Sequence, residues 1–185
     1  MEINEKDVIL KCKIGDFGQF EILYEFYVRK IYKFIYFKTL NKALSEDLTS
    51  EIFLKAIKNI NKFDTEKRFA PWLYSIARNT LIDYFRTRKV TENIDNIWDI
   101  KGDSDLLKQV DDKLNYEKVK GYMSNLSAIQ KDIITMRVWA DMSHAEIAQA
   151  LGITEQNSKV IFSRSIAKLR DIMPLSLLIL FIIKL

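Results

Sequence analysis

The chain has 185 residues, of which 48% are hydrophobic, and it contains only five Gly and two Pro, a composition that favours helices packed around a core over a turn-rich β architecture. A net charge of +4 is only mildly basic. The single Cys12 and single His144 exclude a disulfide framework and a zinc cluster, and they remove most nucleophilic triads. A lone Cys is typical of a reducing cytoplasm, and the N-terminus lacks the long apolar run of a signal peptide, so we expect a cytoplasmic protein.

Residues 17–60 predict two amphipathic helices separated by a polar break at residues 41–45. In the first, apolar side chains recur every three or four residues from Phe17 to Ile35. The second is expected to begin at Ser45, because Glu46 and Asp47 then lie in its first turn, where the helix dipole favours acids. Its apolar stripe lies opposite a mostly charged face made of Asp47, Glu51, Leu54, Lys55 and Lys58.

A polar loop at residues 61–68 precedes a third predicted helix, which begins near Phe69 and ends near Arg88. Residues 62–89 hold seven basic and three acidic side chains. Aromatic residues alternate with these charges: Phe63, Phe69, Trp72, Tyr74, Tyr84 and Phe85. Single-stranded nucleic acid binds to such a surface, because its phosphates pair with the cations and its unstacked bases stack on the rings. The alternative is that the aromatics form core and the charges a solvated face, and we favour it for Phe69, Leu73 and Tyr84.

Residues 90–112 change character and predict a linker. Between Thr91 and Asp112 there are seven acids and two lysines, with poor periodicity. The acidic strip either keeps two basic domains soluble or occupies a basic channel of a partner.

Residues 113–173 predict a second helical domain that ends in a helix-turn-helix. Ser143 and Glu146 form a predicted capping box, and Gly152 suits the left-handed position that ends a helix. Thr154 is a good N-cap for the basic helix that follows. Two helices joined by a short turn with Gly form the helix-turn-helix motif, which places its second helix in a DNA major groove. The alternative is a helical hairpin of the kind that is also common in proteins that do not bind DNA.

The final residues, 174–185, form an apolar tail in which nine of twelve are Leu, Ile or Phe. A bilayer span needs about 20 apolar residues, so the tail is too short to be one. Three alternatives remain: an extra element packed on one of the domains, a contact with a partner or a membrane surface, or an end without a specific role.

The order of these parts resembles the extracytoplasmic-function group of the sigma-70 family, the promoter-recognition subunits of bacterial RNA polymerase. The resemblance covers roughly residues 10–173. The most specific matching string is FAPWLYSIARN at residues 69–79, followed by Asp83 and a basic run to Lys89. Further matches in the first domain are Phe20, Leu23, Tyr24, Tyr27, Glu46, Asp47, Leu48, Ser50, Glu51, Phe53, Leu54, Lys55 and Ala56. Those in the second are Leu126, Ser127, Gln130, Ile133, Arg137, Met142, Ser143, Glu146, Ile147, Ala148, Leu151, Gly152, Ile153, Lys159 and Arg164.

The resemblance implies an all-α fold of two small helical domains joined by an acidic linker. Residues 10–89 are then a region 2-like bundle, 90–112 the linker, 113–173 a region 4-like helix-turn-helix domain and 174–185 a hydrophobic tail. The implied function is that of a sigma factor, which recognises −10 and −35 promoter elements and opens the strands. The expected partners are core RNA polymerase, duplex DNA at −35, single-stranded DNA at −10, an anti-sigma factor and, through the tail, a membrane surface. No catalytic residue, metal or cofactor is expected.

The resemblance also implies roles for individual residues. Polymerase docking falls on Asp47, Glu51, Leu54 and Lys55. Binding of the −10 element falls on Lys62, Phe63, Lys67, Arg68, Trp72, Asn79 and Arg86. Binding of the −35 element falls on Glu155, Gln156, Asn157, Lys159, Ser163 and Arg164.

The chain departs from the family at several positions of its last basic helix. Ile161 stands where a basic or small residue is common, Ile166 where Arg is common, and the residues at 156–158 replace a Gly-Thr-Val-like opening. Gln156 and Asn157 can both bind adenine, and the sequence does not decide which one contacts a base. Two other classes remain open. A helix-turn-helix regulator that does not engage polymerase would not need the 46–56 face, and a nucleic-acid enzyme would need a carboxylate cluster or a cofactor loop.

Overall fold

The computed structural model describes residues 4–39, 41–89, 119 and 121–183, and within these ranges every regular element is helical. The chain divides into two compact units, Met1–Lys101 and Gly102–Leu185. The all-α fold predicted from the sequence is therefore confirmed. The predicted acidic linker at 90–112 lies outside the described residues.

The first unit contains four α-helices: α1 (Glu5–Lys13), α2 (Phe20–Thr39), α3 (Lys42–Asn59) and α4 (Phe69–Lys89). Short 3-10 turns at Phe17–Gln19 and Ile60–Lys62 precede α2 and follow α3. Helix α3 packs against both α2 and α4, and α1 packs against α2 and the second 3-10 turn. Fully buried side chains of the core include Leu23, Ile31, Ile35, Ile52, Ile60, Phe69 and Leu73.

Two elements of this unit differ from the sequence prediction. Helix α3 begins at Lys42, because the side chain of Asn41 accepts a hydrogen bond from the Leu44 amide at 2.9 Å and caps the helix there. Ser45, the expected start, is buried in the first turn, with its Oγ 2.7 Å from Oγ1 of Thr39. Helix α1 was not predicted as a helix. Its buried stripe is only three side chains, Val8, Ile9 and Cys12, which is a weak periodic signal.

The second unit contains α5 (Ala128–Trp139), α6 (His144–Leu151), α7 (Glu155–Ile172) and α8 (Leu175–Ile183). The predicted helix ends of the helix-turn-helix are confirmed. Ser143 and Glu146 form a complete capping box, Gly152 has a left-handed backbone with φ of 67°, and the Thr154 hydroxyl accepts from the Asn157 amide at 3.2 Å. Ser127 and Gln130 form a second capping box at the start of α5.

The hydrophobic tail forms α8, which packs against α5 and α7. Leu177, Leu178 and Phe181 are buried, and the Phe181 ring meets Trp139 edge to face with centroids 5.4 Å apart. Of the three alternatives for the tail, the structure shows an extra helix on the second domain. No helix among the described residues is both long and apolar enough to cross a membrane.

Candidate nucleic-acid interface

The residues predicted to bind the −10 element lie on the 61–68 loop and on one face of α4. Lys62, Lys67 and Arg68 are exposed on the loop, and Asn79 and Arg86 are exposed on the helix. Trp72, Asn79 and Arg86 follow one another at intervals of seven residues, or two helical turns, so they share one side of α4. Because each residue of a helix rises about 1.5 Å, this stripe is about 21 Å long.

Phe63 is the exception among these residues, because its side chain is only 3% exposed. Its ring lies 5.6 Å from Phe69 and 5.1 Å from Trp72, centroid to centroid, and Phe69 and Trp72 are 5.4 Å apart. These three rings form a cluster beneath the loop, in which only Trp72 keeps substantial exposure. Phe69 and Leu73 are therefore core residues, as the alternative interpretation predicted, whereas Tyr84 is half-buried.

A turn centred on Asp64 organises the exposed part of the loop. The Asp64 carboxylate accepts from the Glu66 amide at 3.1 Å, and its main-chain carbonyl accepts from the Lys67 amide at 3.0 Å. The Lys67 ammonium group is 3.6 Å from the same carboxylate. Lys67 and Arg68 are both exposed at the entrance to α4.

The face of α3 predicted to dock on polymerase is also on the surface. Asp47, Glu51 and Leu54 are exposed at helical spacing, and Leu54 is 57% exposed although it is apolar. Lys55 is half-buried. Its ammonium group lies 2.6 Å from Glu51 and donates to Thr80 of α4 at 3.1 Å. Lys55 therefore links α3 to α4 as well as contributing charge to the face.

An apolar groove beside Leu54 was not predicted from the sequence. It has a volume of about 540 Å³ and is lined mainly by Phe17, Phe20, Tyr24, Phe53, Leu54 and Ile57. The Tyr24 and Phe53 rings of its lining are in contact, with centroids 4.9 Å apart. In the sequence, Phe17 belongs to the apolar pattern that runs to Ile35, and its spacing fits a core residue. The groove was therefore not recognisable until the structure showed that Phe17 is exposed.

All six residues predicted to bind the −35 element are exposed on α7: Glu155, Gln156, Asn157, Lys159, Ser163 and Arg164. The opposite face carries Ser158, Ser165 and Leu169, which are fully buried against the rest of the unit. Lys159 pairs with Glu155 at 2.7 Å, and this hydrogen bond and charge lower the pKa of the Glu155 carboxyl. The exposed face of α7 can therefore enter a major groove without disturbing the packing of its inner face.

His144, the only histidine, was not singled out by the sequence as a site residue. It opens α6, and its Nδ1 is 3.0 Å from Oγ of the buried Ser158 on α7. Its ring also meets Phe162 at 5.4 Å. Burial, followed by the charges of Arg137 and Lys159, lowers the pKa of His144, whereas Glu155 raises it. A neutral imidazole thus joins the two helices of the helix-turn-helix.

The structure defines a class of protein: two helical units, one with a basic, aromatic-lined loop and helix, the other with a helix-turn-helix. Comparison with known proteins gives the family. The Sigma-70 region 2 model matches residues 23–91, and the Sigma-70 region 4 model matches residues 116–169. The chain belongs to the extracytoplasmic-function group of the sigma-70 family, and it is an RNA polymerase sigma factor that directs promoter-specific transcription initiation.

Two curated relatives carry this assignment. The sigma factor SigM of Bacillus subtilis is 32% identical over 152 residues, covering 80% of this chain and 91% of SigM. The sigma factor BldN of Streptomyces coelicolor is 30% identical over 176 residues, covering 91% of this chain and 65% of BldN.

Two solved structures share the fold. CnrH, in complex with the cytosolic domain of CnrY, aligns with a TM-score of 0.71 and 18% identity over 91% of this chain and 96% of CnrH. RpoE of Bartonella quintana, in complex with the anti-sigma factor NepR, aligns with a TM-score of 0.68 and 19% identity over 82% and 94% of the two chains. At this identity the likeness concerns the fold alone.

Proposed function

We propose that the protein docks on core RNA polymerase through α3, binds the −35 duplex through α7 and holds the −10 region as a single strand on the 61–68 loop and α4. The observation that carries the proposal is the stripe of half-buried Trp72 and exposed Asn79 and Arg86, which begins beside the basic loop. An aromatic ring, an amide and cations in line suit unstacked bases and their phosphates. A helix-turn-helix regulator that does not engage polymerase has no use for such a surface.

In the −35 complex, Lys159 and Arg164 supply mainly phosphate affinity, and Gln156 and Asn157 supply sequence choice. The exposed pair of Lys159 with Glu155 does not prevent this role. Such surface pairs contribute little free energy, so a DNA phosphate can replace the carboxylate as the partner of the lysine.

In the −10 complex, Lys67, Arg68 and Arg86 neutralise the strand, and Asn79 contacts a base. Trp72 provides the accessible part of its half-buried ring for stacking. Buried Phe63 supports the loop from below and does not contact DNA directly, because its ring packs against Phe69 and Trp72.

The remaining partners follow from the family and the surface. An anti-sigma factor is the proposed inhibitor, because the two solved structures named above are complexes, one of them with an anti-sigma factor named as such. The protein acts in the cytoplasm without catalytic residues of its own. A membrane-surface contact of the tail would use the outward residues of α8: Leu175, Ile179, Ile182 and Ile183.

The experiment that tests the proposal is in vitro transcription with core polymerase on a pool of promoters. The double variant Asp47→Lys/Leu54→Ser changes two exposed positions of α3 and leaves the contacts of Lys55 with Glu51 and Thr80 in place. We expect it to lose core binding and transcription while it stays folded.

The matched control is Asp171→Lys/Ile172→Ser. It makes the same chemical changes at two exposed positions at the end of α7, and it should retain core binding. Retention of full transcription by the α3 variant, or failure of the unaltered protein to transcribe from any promoter in the pool, would contradict the proposed polymerase docking.

A further inference from the structure

Helix α1 contacts the 61–68 loop at its entrance, its middle and its exit. At the entrance, the ammonium group of Lys13 donates to the main-chain carbonyl of Phe63 at 2.6 Å. This carbonyl follows directly after the 3-10 turn Ile60–Lys62 and belongs to a residue whose ring is buried. A hydrogen bond from a charged donor is stronger than one between neutral groups, so it fixes where the loop leaves the core.

In the middle of the loop, the ammonium group of Lys6 lies 2.7 Å from the carboxylate of Glu66. Glu66 directly precedes Lys67 and Arg68, the cations assigned to the −10 strand. Lys6 therefore neutralises the acid that would otherwise repel the phosphates these cations attract.

At the exit, the side chain of Glu5, the first residue of α1, contacts the first residue of α4. One oxygen of its carboxylate accepts from the Phe69 amide at 3.4 Å, and the other accepts a hydrogen bond from the Tyr27 hydroxyl of α2. Burial, together with this hydrogen bond, raises the pKa of Tyr27, so the hydroxyl remains a donor. A carboxylate at a helix N-terminus is also favoured by the helix dipole.

Helix α1 is itself fixed to the core by its buried residues Val8, Ile9 and Cys12. Glu5 and Lys13 are eight residues apart, which corresponds to about 12 Å along a helix. The three contacts are thus presented by one rigid element to a loop that has no regular structure between residues 63 and 68.

We propose that Glu5, Lys6 and Lys13 are positioning residues for promoter recognition: α1 holds the 61–68 loop in the conformation that binds the −10 strand. The inference rests on the proposed function of that loop. A loop already ordered in its binding conformation loses less entropy when DNA binds, so loss of these contacts lowers affinity without removing a DNA contact.

The test measures binding of the holoenzyme, core polymerase with the full chain, to a fluorescent nontemplate-strand oligonucleotide from the −10 region of a promoter selected in the transcription assay. Lys13→Met removes the donor and keeps the length of the side chain. We expect it to weaken binding about tenfold, the scale of one charge-assisted hydrogen bond. The matched control is Lys11→Met. Lys11 is an exposed lysine of α1 that pairs with Asp7, so this variant should bind the oligonucleotide normally.

The salt dependence of binding separates positioning from direct contact. A lysine that touches a phosphate changes the slope of log affinity against log salt by about 0.7 when it is removed from a single-strand site. We expect an unchanged slope for Lys13→Met. Weaker binding with a reduced slope would make Lys13 a phosphate contact and overturn the proposal.

A second pair of variants keeps the proposal falsifiable if Lys13→Met fails to fold. Lys6 and Glu66 are 54% and 75% exposed, so their substitution leaves the fold intact. Lys6→Met should weaken binding in the unaltered chain by no more than about fivefold, the scale of an exposed ion pair, and have no further effect in a Glu66→Gln background, because Lys6 acts through Glu66. Equal effects in both backgrounds would overturn its positioning role.

The variant Lys67→Ala/Arg68→Ala distinguishes failure of the inference from failure of the proposed function. If this variant loses the oligonucleotide and the α1 variants do not, the positioning role is wrong and the loop still binds DNA. If the loop variant also binds normally, the −10 assignment of the loop fails, and the positioning role fails with it.

Discussion

Replacing Phe181 with Ala should destabilise the second unit, because this side chain fastens α8 to α5. Phe181 is completely buried, and its ring packs edge to face on Trp139 at 5.4 Å. Truncation of a buried Phe to Ala costs about 3–5 kcal/mol, which is a large part of the about 5–15 kcal/mol that stabilises a typical domain. Because α8 also packs on α7, the −35-binding helix should lose support together with α5.

Hydrogen exchange measured by mass spectrometry tests this on the full chain. In Phe181→Ala, protection of the amides of α5 and α7 should fall by about 100-fold or more, since each 1.4 kcal/mol is a factor of ten. Ile183→Ala is the matched control on the same helix, because Ile183 is 72% exposed, and its effect should stay within about 0.5 kcal/mol. Unchanged protection of α5 and α7 in Phe181→Ala would refute the view that the tail is part of this unit's core.

Three further predictions concern pH, sequence choice and strand opening. Because the pKa of His144 in the folded chain lies below the ordinary value of 6.5, its contribution to stability is present above that pH and is lost as pH falls through the folded pKa. His144→Gln should therefore make urea unfolding less dependent on pH between about 7.5 and 5.5, and an identical dependence would contradict this. Gln156→Ala/Asn157→Ala should alter the −35 sequences recovered by selection, at about 1–3 kcal/mol per lost base contact, whereas an unaltered motif would exclude both residues from base contact. Asn79→Ala should reduce permanganate reactivity of −10 thymines more than it reduces duplex binding, and normal reactivity would remove Asn79 from the strand-opening surface.

The helix-turn-helix could be predicted from the sequence nearly residue by residue, because its determinants are local. The Ser143 and Glu146 capping box, the left-handed Gly152 and the Thr154 cap each depend on residues at most a few positions apart. The start of α3 could not be decided in this way. Residues 41 and 45 are both good N-caps, and the choice depends on the burial of Ser45 against Thr39.

Contacts between residues far apart in the chain could not be predicted from the sequence. Lys13 and Phe63 are 50 positions apart, and Glu5 and Phe69 are 64 apart. A surface lysine or glutamate has no preferred partner until the fold places one beside it. For the same reason, the sequence identified the aromatic residues between 63 and 85 but could not tell buried Phe63 from half-buried Trp72. Either side chain could equally well belong to a core or to a surface that stacks on bases.

The distribution of positive charge indicates how the two units divide promoter binding. On α7, the cations among the residues predicted to bind the −35 element are Lys159 and Arg164, whereas Lys168 donates to the main-chain carbonyl of Asn125 at 2.6 Å. Two phosphate contacts supply little affinity by themselves, because each contributes only one released counterion. The 62–89 segment holds seven basic and three acidic residues, so we expect the first unit to supply the larger electrostatic share of DNA binding. We therefore expect sequence choice at −35 to depend on both units being bound to one polymerase, where the first binding event raises the effective concentration of the second.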